Sequence, residues 1–122
     1  MLVVDDDQII RSVLAEALDD EGYEVQTAIN GRDALERLDG WIPDLIVLDL
    51  MMPEIDGWGF RERQRKLDGP AAAIPVLVLS AARELDSHAE LMGATAHIPK
   101  PFDLGALLDQ IERITSSTPD AA

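Results

Sequence analysis

The stretch Leu45-Ile46-Val47-Leu48-Asp49-Leu50-Met51-Met52-Pro53-Glu54-Ile55-Asp56-Gly57-Trp58 decides how the rest of the chain is read. Four apolar residues run without alternation into a single carboxylate, Asp49; three more apolar residues and a proline follow. A short continuous apolar run reads as a strand buried on both faces, as in a parallel sheet covered by helices. A carboxylate fully buried and unpaired in such a run is costly, or it neutralises itself by a pKa shift. Either something sits beside Asp49, or Asp49 stands where the apolar run ends at a solvent cleft, and the rest of the sequence has to decide between them.

Two further runs have the same character, Leu2-Val3-Val4 and Val76-Leu77-Val78-Leu79. Tyr23 to Ala28 alternates and suits a strand nearer an edge; Ala96-His97-Ile98 is a short fifth candidate. Helical patterns lie between them. Ile9, Ile10, Val13, Leu14, Ala17 and Leu18 recur at helical spacing, and Glu21-Gly22 supplies a stop. Asn30-Gly31 opens a segment from Arg32 to Leu38, Phe60 to Leu67 is charged and helical, and Leu85 to Met92 is a short candidate. Asp7 and Asp103 stand where N-caps are wanted, the second ahead of a helix with Leu104, Leu107, Leu108, Ile111 and Ile114 inward. Strand and helix alternate five times, which predicts an α/β fold with a parallel sheet and right-handed crossovers. Residues 1–114 form one domain in this reading, and 115–122, with Thr115-Ser116-Ser117-Thr118-Pro119, form a tail or linker.

The bulk properties agree with a single globular domain. The chain has 122 residues, 47% of them hydrophobic, enough to bury a core at this length. It has no cysteine, which excludes disulfides and thiolate metal sites. Apolar runs are too short to span a membrane, and Met1-Leu2-Val3-Val4-Asp5 does not read as a signal peptide, so a cytoplasmic setting is expected. The net charge of −14 argues against direct binding to nucleic acid or to anionic membranes, and favours cations and basic partners.

In an open parallel sheet, ligands bind beyond the carboxyl ends of the strands. The residues that follow each run are therefore the ones to collect. Asp5, Asp6 and Asp7 follow the first, Asp49 ends the third, Ser80 follows the fourth and Lys100 follows the fifth. Carboxylates held together repel, and a hard cation relieves that; magnesium takes a few carboxylate oxygens and readily adds a phosphate oxygen. Lys100 brings a second positive charge to the same edge. The set reads as a phosphoryl site, with Asp49 as a carboxylate nucleophile, Lys100 steadying charge and Ser80 offering a hydrogen bond. Asp7 is read as a helix cap rather than a metal ligand.

The segments LVVDDD, DLIVLDLMMPEIDG, VLVLSA and HIPKPF, in this order and spacing, resemble the receiver domain of two-component response regulators across nearly the whole chain. The resemblance implies a flavodoxin-like, doubly wound five-stranded parallel sheet of strand order 2-1-3-4-5 with about five helices. It implies that Asp49 accepts a phosphoryl group from a histidine kinase or histidine phosphotransfer protein in a Mg2+-dependent reaction. Asp5, Asp6 and Asp49, with the backbone carbonyl of Met51, are then the metal ligands; Asp49, Ser80 and Lys100 are the catalytic set. Ser80 and His97 match the switch pair, His97 standing where the family prefers Tyr or Phe. The chain is then a signalling switch rather than a turnover enzyme, catalysing only its own phosphotransfer and dephosphorylation. Its output passes to a partner or a second copy.

A rival of another class is a phosphatase of the haloacid dehalogenase type, which also pairs an Asp nucleophile with magnesium. Such enzymes typically carry a second Asp two residues after the nucleophile as general acid; Met51 stands there in this chain. A third reading, a receiver that only binds partners, is separated from the first by whether Asp49 takes up phosphoryl at all.

Overall fold

The computed structural model describes residues 1–49, 57–67, 69–81, 96–100 and 103–116. Five strands, β1 (Leu2–Val4), β2 (Gln26–Ala28), β3 (Ile46–Asp49), β4 (Val76–Ala81) and β5 (Ala96–Lys100), form one sheet in the order β2-β1-β3-β4-β5. Every neighbouring pair is parallel. Among the described residues there are four α-helices, α1 (Gln8–Asp20), α2 (Gly31–Arg37), α3 (Gly57–Arg65) and α4 (Leu104–Ser116), and a short 3-10 segment, Gly69–Ala73. The helix expected over Leu85 to Met92 lies outside the described residues.

Strand side chains alternate between faces, and the two faces carry two separate cores. Leu2, Val4, Ile46, Leu48, Val76 and Val78 pack with Ala34 and Leu38 from the α2 segment and Phe60 from α3. Val3, Val47, Leu77 and Leu79 pack with Leu14 and Leu18 of α1 and Leu107 and Ile111 of α4. Helices therefore cover both faces, and the central strands have no solvated side, which is why their sequences do not alternate. Each fully buried Leu, Ile or Phe is worth about 1.5–3 kcal/mol.

Local signals set the helix starts. Asp7 Oδ1 accepts from the backbone N–H groups of Ile9 (2.9 Å) and Ile10 (3.2 Å), capping α1. At α2 the cap is reciprocal: Asn30 Oδ1 accepts from Asp33 N (2.8 Å), and Asp33 Oδ2 accepts from Ile29 N (3.1 Å). Asp103 Oδ2 accepts from Ala106 N at 3.0 Å at the start of α4.

Four expectations change. The alternating run from Tyr23 contributes only Gln26–Ala28 to the sheet, because Tyr23 N–H is used by the carbonyl of Leu18, closing the end of α1. On α1 the buried stripe is Leu14 and Leu18 with Ile10 half-buried, whereas Ile9 is 75% exposed and Val13 46%. Each precedes a stripe residue by one position, about 100° around the helix, so the apolar set is broader than the face that packs. The segment expected over Phe60 to Leu67 is helical over Gly57–Arg65 instead. The last helix runs through Ser116, so the boundary at residue 114 falls inside it; Thr115 Oγ1 donates to the carbonyl of Ile111 at 2.9 Å, a bond that a helical backbone satisfies.

One polar network inside the fold was not foreseen. Gln64 is fully buried; its Nε2 donates to the carbonyls of Ala71 (2.9 Å) and Ile74 (3.2 Å), tying α3 to the segment that leads into β4. Arg61 Nη1 donates to Gln64 Oε1 at 2.7 Å. Burial, and then the charge of Arg65, pull the Arg61 guanidinium below its ordinary pKa. Removing the amide strands two buried acceptors. Gln64→Ala is expected to lower unfolding free energy by about 2 kcal/mol or more, and Arg63→Ala, on the exposed side of the same helix, to stay within about 0.5 kcal/mol. Urea denaturation of the two variants checks this.

Candidate functional site

Strand register builds the site. Val4 pairs with Leu48, so the next residues, Asp5 just past β1 and Asp49 at the last position of β3, stand at the same level. Asp49 itself pairs with Leu79, one residue before Ser80. Ser80 pairs with Pro99, and Ala81 with Lys100, so the backbones of Ser80 and Lys100 stand at the same carboxyl edge. His97 pairs with Val78, further back along β5.

Asp5, Asp6 and Asp49 each offer a carboxylate oxygen, and these oxygens lie within 4.8 Å of one another. Asp5 is 1% exposed and Asp49 3%, while Asp6 is open to solvent. Two buried carboxylates and a third at this spacing repel strongly at reduced dielectric. The donor set is all hard oxygen, clustered within the span of one ion, and open on the Asp6 side. It fits a hard divalent cation that keeps part of its water, which describes Mg2+ better than a site enclosed by protein. Asp7 is not in the cluster, because its carboxylate caps α1. Met51, expected to add its carbonyl, lies outside the described residues.

Asp5 is held at three points. Its N–H donates to the carbonyl of Ala28 (3.2 Å), its Oδ1 accepts from Asp7 N (2.9 Å), and its carbonyl accepts from Arg11 Nη1 (2.8 Å). Arg11 was not singled out from the sequence. Its signal was present: helical side chains lean toward the N-terminus, so a long donor four residues after the Asp7 cap reaches back over the strand end.

Residues 1–112 match the family described as the response regulator receiver domain. The chain belongs to the response regulator receiver family. The receiver is 38% identical over 123 residues to the response regulator MprA of Mycolicibacterium vanbaalenii, covering 98% of this chain and 52% of that protein. It is 38% identical over 120 residues to MprA of Mycobacterium tuberculosis, covering 97% and 51%. The chain thus spans about half the length of these relatives. Among solved structures, the chemotaxis response regulator CheY4 of Vibrio cholerae superposes with a TM-score of 0.84 at 34% identity, covering 93% of this chain and 95% of that one. The receiver domain of NtrX from Brucella abortus superposes with a TM-score of 0.85 at 30% identity, covering 96% and 98%. The flavodoxin-like receiver fold expected from the sequence is therefore the fold of this chain. No helix among the described residues is long and apolar enough to cross a membrane.

The receiver's acidic cluster makes a measurable prediction. Without divalent cation, Asp49→Asn relieves like-charge repulsion and is expected to raise the melting temperature. Mg2+ at ten times its Kd is expected to stabilise the wild type by about 1.4 kcal/mol and to leave Asp49→Asn nearly unchanged. Thermal unfolding with and without chelator reads both.

Proposed function

We propose that the chain is a Mg2+-dependent phosphoacceptor switch in which Asp49 takes a phosphoryl group from a histidine kinase or a histidine phosphotransfer protein. The observation that carries this reading is the meeting of Asp5, Asp6 and Asp49 at the ends of neighbouring parallel strands, their oxygens within 4.8 Å. Asp5, Asp6 and Asp49 would hold the ion, with the carbonyl of Met51 as a further ligand. When bound, the ion supplies positive charge to the phosphoryl oxygens and offsets the three carboxylates.

The chemistry assigned to the chain is one displacement and its reversal by water. An oxygen of Asp49 attacks phosphorus; the P–O bond forms as the P–N bond of the donor phosphohistidine breaks, its electron pair returning to the imidazole nitrogen. Lys100 balances charge on the transferring oxygens and Ser80 donates a hydrogen bond to one of them. In dephosphorylation, water attacks phosphorus, the aspartyl oxygen leaves with the bonding pair, and inorganic phosphate departs. The acyl phosphate adds about one to two negative charges at the strand edge. Ser80 and His97 are the switch pair in this reading, and β5 and α4, with the helix expected over Leu85 to Met92 that lies outside the described residues, carry the output surface, bound by a partner or a second copy. The phosphoryl group shifts that surface only through its different contacts in the two states. A charge of −14 argues against nucleic-acid binding by this chain itself. We place the domain in the cytoplasm.

Two features support a switch over a phosphatase: Met51 stands where the general acid of the haloacid dehalogenase type is carried, and residues 1–112 match the receiver family. The reading makes the chain no turnover enzyme. Intact mass after incubation with acetyl phosphate is expected to rise by one phosphoryl group with Mg2+, and not with chelator or in Asp49→Asn. Steady consumption of acetyl phosphate by Asp49→Asn, or an adduct that persists in it, would contradict the assignment.

A further inference from the structure

We propose that Arg11 is a positioning residue for the cation site, acting through the backbone of Asp5; this rests on the metal-binding reading above. Asp5 has the most constrained position of the three carboxylates. Its carboxylate is buried to 1% exposure and stands within ligand distance of Asp6 and Asp49. Mutual repulsion pushes the three apart in the absence of cation, and β1 ends at Val4, where the chain turns toward α1. Contacts from the far side of that turn reach back to Asp5. Asp7 N–H donates to Asp5 Oδ1 at 2.9 Å, and half-buried Arg11 donates from Nη1 to the Asp5 carbonyl at 2.8 Å. Arg11 is itself anchored in α1, its N–H donating to the carbonyl of Asp7 at 3.0 Å.

Arg11 thus links the start of α1 to the residue that follows β1 and sets the rotation of the Asp5–Asp6 peptide. That rotation aims both carboxylates. A guanidinium suits the task because it stays protonated and presents fixed, planar donors. It also brings positive charge toward a cation site, which by Coulomb's law opposes cation binding. The two roles have opposite signs, and this makes the inference decidable. If Arg11 is only a nearby charge, neutralising it tightens Mg2+. If Arg11 positions Asp5, neutralising it weakens Mg2+ although a repulsive charge has gone.

The test is Mg2+ affinity by isothermal titration calorimetry for wild type, Arg11→Gln, Arg11→Lys and Asp49→Asn, with melting temperatures recorded in chelator. The expected result is a Kd about tenfold weaker in Arg11→Gln, the low end of what loss of an outer-shell partner costs a metal site. Arg11→Lys, keeping charge and one donor, is expected to recover part of the loss. An unchanged or tighter Kd in Arg11→Gln, with wild type binding and Asp49→Asn not, overturns the inference and leaves the switch reading standing. A lowered melting temperature with unchanged Kd in both Arg11 variants makes Arg11 structural only and also overturns it. If Arg11→Gln does not fold, a wild-type Kd in Arg11→Lys is the overturning result, because Lys keeps the charge but not the planar fork. Wild type with no saturable Mg2+ binding overturns the inference and the metal-binding reading together.

Discussion

Three carboxylates whose oxygens lie within 4.8 Å of one another are the constraint on which the rest of this structure depends. Left to themselves, Asp5, Asp6 and Asp49 would separate, because like charges repel. They stay together because the backbone gives them no alternative. Asp5 and Asp49 are the residues that follow a paired Val4 and Leu48 in adjacent parallel strands. The strands are locked by cores on both faces, Phe60 and its neighbours on one side, Leu14, Leu18, Leu107 and Ile111 on the other. Folding energy from apolar burial thus holds an electrostatically unfavourable arrangement in place. Such a site suits a hard cation that offsets the three charges.

Much of this was legible in the sequence because parallel strands buried on both faces announce themselves. Leu2-Val3-Val4, Leu45 to Leu48 and Val76 to Leu79 have no polar alternation to blur them, and the acidic residues stand immediately after. The caps Asp7 and Asp103 were legible for the same reason: a short carboxylate ahead of an apolar helical pattern has one common use. What escaped was whatever depends on direction or partner. Periodicity placed Ile9 and Val13 with the apolar set of α1, but it does not say which third of the helix surface meets the sheet. Tyr23 to Val25 look like strand, yet the carbonyl of Leu18 claims the N–H of Tyr23. Gln64 sits in a charged run and reads as solvated, while its amide serves two carbonyls seven and ten residues on.

The candidate site shows the same division. That Asp5, Asp6 and Asp49 gather could be read from their place after the apolar runs. How they are held was missed: Arg11 stands four residues after the Asp7 cap, but its target is a backbone carbonyl, which no side-chain pattern names. Register, which sets Asp5 level with Asp49 and puts Ser80 and Lys100 at the same edge, is a property of paired strands rather than of any one segment.

Whether Asp5, Asp6 and Asp49 form the divalent-cation site, in a chain that carries 24 acidic residues, is read by paramagnetic broadening of amide NMR signals with substoichiometric Mn2+, because broadening falls steeply with distance from the ion. The amides of Asp5, Asp6 and Asp49 are expected to disappear first and to return when Mg2+ is added in excess. Early broadening centred instead on Glu21, Asp109 and Glu112, which line a separate acidic pocket between the end of α1 and α4, would contradict it.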